Sequence, residues 1–205
     1  LQPGEVAATA GTSGVIYGVS NQLEYDQQSR INSFAHVNYK ADEARIGILL
    51  CINGAGIFNR WVKNLIGANR SYAALNEAAA KVSPGSNGLL ALPFGNGAER
   101  MLNNRQVGAH FQNLDFNIHT DAHLVRAAQE GVAFAFRYGL DIMRENGMHP
   151  SIIRAGRANL FLSDVFIQSF VNATQTAIEF YEGDGSYGAA LGAGIGAGIY
   201  ANTTE

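Results

Sequence analysis

The chain is 205 residues long, carries a formal net charge of −3 and is 47% hydrophobic. It is too apolar and too weakly charged for a disordered chain, and it offers no basic footprint for nucleic acid or an anionic membrane. One cysteine cannot form an internal disulfide, and four prolines with aperiodic glycines exclude a collagen-like repeat. The 24 glycines are about 12% of the chain against about 7% in ordinary proteins, and they ask for a reason.

Leu1 rather than Met opens the sequence, and Leu1-Gln2-Pro3-Gly4 reads as a turn with no leader peptide. At the other end Ala201-Asn202-Thr203-Thr204-Glu205 follows directly on a helical run. Both ends suggest a domain within a longer protein.

Residues 5–10 and 15–20 are β-prone runs around the small turn Gly11-Thr12-Ser13-Gly14, which predicts a hairpin. Residues 45–52, RIGILLCI, form a nearly continuous apolar run suited to a third, buried strand. After Gly54-Ala55-Gly56, two i, i+4 series, Ile57, Trp61, Leu65 and Phe58, Val62, predict a helix over 57–66. Trp61 and the phenylalanines are assigned to the core. A second, alanine-rich helix is expected over 71–81, capped by Ser71 and stopped by Pro84-Gly85. Residues 89–94 read as a strand and 95–113 mostly as loop.

Residues 121–145 predict the strongest helix. Leu124, Ala127, Ala128, Val132, Ala135, Phe136 and Leu140 form its apolar face, and Thr120 or Asp121 caps it. A strand over 151–155, a helix over 159–172, a strand over 176–181 and a small-residue helix over 187–201 follow. Phe161, Val165, Phe166, Ser169 and Phe170 face inward on the first of these helices. In the last, Gly192 with Gly196 and Gly194 with Gly198 would allow close packing on the sheet. That run of about 15 residues falls short of the roughly 20 that span a bilayer. A meander followed by strand–helix–strand–helix gives a mixed α/β sheet, antiparallel at one side and with two parallel strands at the other, helices on both faces.

Several stretches could carry chemistry. The turn Gly11-Thr12-Ser13-Gly14 can direct backbone N–H groups and two hydroxyls at phosphate oxygens, or it can be an ordinary hairpin turn. Gly54 and Gly56 at a helix start admit a ligand to its N–H groups, or serve the backbone of the loop. Arg154-Ala155-Gly156-Arg157-Ala158-Asn159 lies at a strand end, where α/β folds place ligands, although either arginine could be a solvated charge. Gly183-Asp184-Gly185-Ser186-Tyr187-Gly188 fits GxGxxG, but no following strand and acidic residue complete a dinucleotide site. His119-Thr120-Asp121-Ala122-His123 suits a helix start better than a metal site. Cys51, in an apolar strand, reads as an inert buried thiol.

Taken together these stretches resemble the second half of the FGGY carbohydrate kinases, xylulose kinases most of all. ATAGTSGVIYGVS resembles that family's second phosphate loop, CINGAGIFNRWVKNL its glycine-plus-helix segment, and LLALPFGNGAER its Leu-Pro…Gly-Glu-Arg stretch. FQNLDFNIHTDAHLVRAAQEGVAF is similar to its second signature, IIRAGRANLFLSD to its adenosine motif and GDGSYGAALGAG to its final helix. The resemblance covers nearly the whole chain in order.

It implies an actin-like, ribonuclease-H-like ATPase domain, the C-terminal member of a pair with a cleft between them, spanning residues 1–205. It implies ATP and Mg²⁺ as cofactors, a sugar as the other substrate and a cytoplasmic enzyme, with homodimerisation left open. By position, Gly11, Thr12 and Ser13 would contact the β- and γ-phosphates, and Gly56 and Arg60 would lie near the phosphates and ribose. Ala155, Gly156 and Asn159 would hold the adenosine. Arg154 and Ala155 stand where the family usually has consecutive glycines. The catalytic aspartate and the sugar-binding domain are expected before Leu1, so this stretch alone should phosphorylate nothing. D-Xylulose is the expected acceptor. A glycerol, ribulose or deoxyhexulose kinase and a non-catalytic actin-like nucleotide-binding module stay open.

Overall fold

The structure is a computed structural model and describes residues 1–182 and 185–201. The expected hairpin forms from β1 (Val6–Ala10) and β2 (Gly14–Ser20), antiparallel, with Ala10 opposite Gly14 across the small turn. A short strand that the sequence pattern hides, β3 (Asn32–Ala35), lies at the sheet edge against β4 (Ile46–Ile52), and β4 pairs antiparallel with β2. β3 has four mostly exposed residues, too few for a visible alternation.

Two helices follow, α1 (Gly56–Gly67) and α2 (Tyr72–Ala80); Ser71 caps α2 by accepting the Ala74 N–H. Residues 95–113 are less irregular than expected. β5 (Leu90–Phe94) pairs with β6 (Gly108–Gln112) in a separate two-stranded ribbon. The long helix α3 (Asp121–Glu145) starts at Thr120, whose backbone N–H donates to Nδ1 of His123, so the second histidine of His-Thr-Asp-Ala-His serves the cap. Among the described residues no cluster of His, Cys, Asp and Glu could hold a metal ion.

β7 (Ile152–Gly156) runs parallel to β1, and β8 (Ala177–Tyr181) runs parallel to β7, giving the sheet order β3-β4-β2-β1-β7-β8. The helix expected over 159–172 breaks at Ser163. A 3-10 turn over Asn159–Leu162 precedes α4 (Asp164–Thr174), and Ser163 caps α4 through the Phe166 N–H.

The core lies between one sheet face and α3 with α4. Val6, Ala8, Ala10, Ile16, Leu50, Ile52 and Ile153 meet Phe136, Phe161, Phe166 and Phe170, whose rings pack edge to face. Gly14 and Gly139 let α3 come close: an added Cβ would stand 2.7 Å from the Phe136 ring and from a Leu50 methyl, respectively. Two expectations fail. Of the aromatics assigned to the core, Phe34, Phe116 and Phe134 are exposed, and Trp61 is 53% exposed because α1 turns Phe58 and Val62 inward and leaves Trp61 and Leu65 outside. The glycines of α5 (Gly185–Gly196) do not pack on the sheet. Gly188, Gly192 and Gly196 face open space, and Gly194 closes on Tyr200 instead. Gly183 and Asp184, which open the GxGxxG match, lie outside the described residues. Among those described, no helix is long and apolar enough to cross a membrane.

Candidate functional site

The 11–14 turn, the β4–α1 junction and the turn after β7 come together at one end of the sheet. The Gly56 N–H donates to the Gly11 carbonyl at 2.8 Å, and the Ile57 N–H donates to the Thr12 carbonyl at 3.0 Å. The first N–H groups of α1 are therefore spent on the turn rather than held open for a ligand, unlike one of the two sequence readings. Gly56 is a glycine because its Cβ would strike the Gly11 carbonyl, and Gly54 because its Cβ would strike the Pro93 carbonyl. With both carbonyls turned to α1, the Thr12 and Ser13 N–H groups have no hydrogen-bond partner among the described residues. Adjacent free donors in a tight turn suit an anion.

A cleft of about 350 Å³ opens beside this clasp. Gly11, Thr12, Gly56 and Ile57 line one end; Asn59, Arg60, Tyr72, Asn76, Leu160, Leu162 and Ser163 line the rest, with Asn159 and Ala10 between. Among the described residues that line it, Arg60 is the charged one, a cation. Asn159 adopts a left-handed backbone, φ 55°, which asparagine tolerates, and its amide passes over Gly11. A second cleft of about 540 Å³ lies between α5 and the sheet face carrying Ala7, Thr9, Arg154 and Tyr181. Ala155 and Gly156 line this second cleft, while Asn159 borders both.

The structure thus gathers Gly11, Thr12, Gly56, Arg60 and Asn159 in one cleft and sets Ala155 and Gly156 in its neighbour. Ser13 stands on the turn beside Cys51, outside both linings. Arg154 is no free surface charge: it pairs with Glu5 and, across the strands, with Glu179, and stacks near the Tyr181 ring. Asn76, Tyr72 and Leu162 went unseen in the sequence. An alanine-rich helix marks none of its positions as special, and the 3-10 turn that presents Leu162 reads as continuous helix.

Behind the clasp stands Glu99, fully buried, with the Asn53 N–H donating to both carboxylate oxygens at 3.1 Å. Burial pushes its carboxyl above the ordinary range, and the N–H groups of Asn53 and Gly54 pull it back. Cys51 is half-buried. Burial, then the Glu99 charge, raises its thiol, consistent with an inert group.

A mixed sheet carries a glycine turn clasped by a helix start, beside a cleft whose described lining includes the cation Arg60. The chain matches the FGGY family of carbohydrate kinases, C-terminal domain, over residues 6–200, and it belongs to that family. It is 26% identical over 195 residues to the xylulose kinase of Bacillus subtilis, covering 94% of this chain and 37% of that protein. The gluconokinase of the same organism is 31% identical over 144 residues, 65% of this chain and 27% of the relative. Among solved structures, the xylulose kinase from Rhodospirillum rubrum superposes with a TM-score of 0.80 at 25% identity, over 96% of this chain and 39% of that one. The fold is the actin-like ATPase fold of these kinases. The chain spans well under half the length of the relatives it matches.

Proposed function

We propose that this chain, as residues 1–205, is the ATP-binding domain of a cytoplasmic sugar kinase that moves the γ-phosphoryl of ATP to a sugar hydroxyl. The preferred acceptor is D-xylulose, giving D-xylulose 5-phosphate, because the xylulose kinase of Bacillus subtilis aligns with nearly the whole chain. The gluconokinase match supports a second reading with another sugar acid or sugar as acceptor. The sugar-binding part and the catalytic aspartate would lie in the portion of the relatives that this chain does not span.

The observation that carries the reading is the clasped turn: free Thr12 and Ser13 N–H groups beside Gly11, with Arg60 and Asn159 along the same cleft. Phosphoryl transfer depends on holding the phosphates still and neutralising their charge. The turn and Arg60 would do this for the tail, and Asn159 would border the nucleoside. Ala155 and Gly156, at the end of β7, would support the adenosine from the neighbouring cleft. Mg²⁺, when bound, would neutralise phosphate charge.

Calorimetry with Mg-ATP tests this. Thr12→Val, which deletes a hydroxyl at constant volume in the cleft lining, should weaken binding about 3–10-fold. Ser13→Ala, outside the lining, should do less. No binding by the unaltered chain, or equal binding by the Thr12 variant, defeats the phosphate assignment. A panel of phosphate acceptors, tried on a protein that includes the sugar-binding part, decides between xylulose and gluconate.

A further inference from the structure

Asn76 sits on α2 one turn after Tyr72, and both line the first cleft. Its Oδ1 accepts from Nε2 of Gln129 at 2.8 Å, and Oε1 of Gln129 accepts from the Ser163 hydroxyl at 2.7 Å. Ser163 is also the cap of α4, accepting the Phe166 N–H at 3.5 Å. The Ser163 oxygen accepts the backbone N–H and gives its own hydrogen to Gln129 Oε1, which leaves Nε2 as the Gln129 end that faces Asn76. Gln129 in turn fixes Asn76. The Nδ2 donors are what Asn76 has left for the cleft, and no hydrogen bond among the described residues takes them up.

Gln129 is fully buried on the core side of α3. An amide there is costly if unpaired, and an apolar residue would carry no such cost. Pairing both its ends makes the burial tolerable and turns it into a one-way relay. The relay ends in the cleft that Tyr72, Leu160 and Leu162 also line. Apolar walls with a fixed donor at their edge suit a flat heterocycle whose edge carries acceptors.

We propose that Asn76 reads the nucleotide base by donating to an unprotonated ring nitrogen of a purine, with Gln129 and Ser163 as the positioning residues that hold it in that orientation. This rests on the nucleotide reading above. A donor at this edge rejects the exocyclic amine of adenine and accepts a ring nitrogen, so it sets the face on which the purine is presented.

The test compares Mg-ATP with its 1-deaza, 3-deaza and 7-deaza analogues, each of which replaces one ring nitrogen by C–H, by calorimetry on the unaltered chain. One analogue should bind about 3–10-fold more weakly than ATP. Asn76→Asp keeps the acceptor that Gln129 needs and replaces the donors facing the cleft by oxygen. It should bind ATP and that analogue alike, whatever its added charge does to both. Gln129→Leu, shown folded by its thermal melt, should lose the same discrimination, because Asn76 can then turn over. If the unaltered chain binds all three analogues as it binds ATP, or if Asn76→Asp still discriminates, the base-reading role is overturned while the nucleotide site stands. If ATP does not bind the unaltered chain at all, the nucleotide reading falls and this inference with it.

Discussion

Gly56 meets two demands at one atom. Its N–H must reach the Gly11 carbonyl, and that approach leaves no room for a side chain, since an added Cβ would also stand 2.9 Å from the Gly11 carbonyl carbon. Backbone on both sides cannot swing away as a flexible side chain could. Gly56→Ala should therefore part α1 from the turn, costing about 1–3 kcal/mol in chemical denaturation together with a loss of Mg-ATP affinity. Gly192→Ala, on the exposed face of α5 with open space around it, supplies the control. It should be neutral or stabilising by up to about 1 kcal/mol. Equal destabilisation by both would refute the clasp. Glycine spacing made this part of the site readable in the sequence, because close backbone approach is written in which residue lacks a Cβ. Asn76 was not readable, because its role comes from Gln129 and Ser163, 53 and 87 positions downstream by subtraction of their numbers, and no local pattern connects the three.

At the level of elements, α3 tests propensity against packing. A glycine inside a 25-residue helix is normally about 1 kcal/mol worse than alanine. Gly131 reverses this, because its Cβ would run into the Ala91 carbonyl of β5. Gly131→Ala should thus lower the unfolding free energy by about 1–3 kcal/mol although it improves the helix; a rise would show that β5 yields. The same contact explains how β5 and β6 form at all. They make a ribbon of their own that leans on α3, so residues 108–112 show neither the alternation nor the burial of a sheet strand. The main sheet was legible because β1, β2, β4 and β7 bury one face on a shared core and carry that demand as apolar runs. The break at Ser163 was not, since the i, i+4 series Phe161, Val165, Ser169 and Phe166, Phe170 suit one helix. What interrupts it is Asn159 in a left-handed conformation and a cap that also serves the Gln129 relay.

Over the whole molecule, the end of the sheet away from the cleft is held by charge. Arg30 donates to both oxygens of Asp26 and to Glu145 at the end of α3, and Asn146 donates to Asp26 as well. The Asp26 and Arg30 side chains are largely buried. The Arg30 hydrogen bonds hold the Asp26 carboxyl far below the usual carboxylate range. Because the native value lies below the unfolded one, near 3.8, this group adds stability that is fully present above about pH 5 and lost as the pH falls further. Glu99 works in the opposite sense. Its native value is raised above the ordinary 4.5, so its contribution is full below that pH and is lost as the pH rises through the native value. Removing either carboxylate should then leave a signature with opposite slope. Asp26→Ala should lower Tm at pH 7 by about 6–12 °C, taking about 3 kcal/mol for a broken buried pair and about 2–4 °C per kcal/mol for a domain of this size. That deficit should shrink toward pH 3. Glu99→Gln should show its larger deficit at pH 5 and its smaller one at pH 8. Thermal melts of the two variants and the unaltered chain across pH 3–8 measure both slopes, and a shared slope would mean that Glu99 does not meet the burial cost described here. The experiment also separates the two ends of the sheet: Glu99 stands behind the clasped turn, so Mg-ATP affinity should change in its variant and hold in that of Asp26.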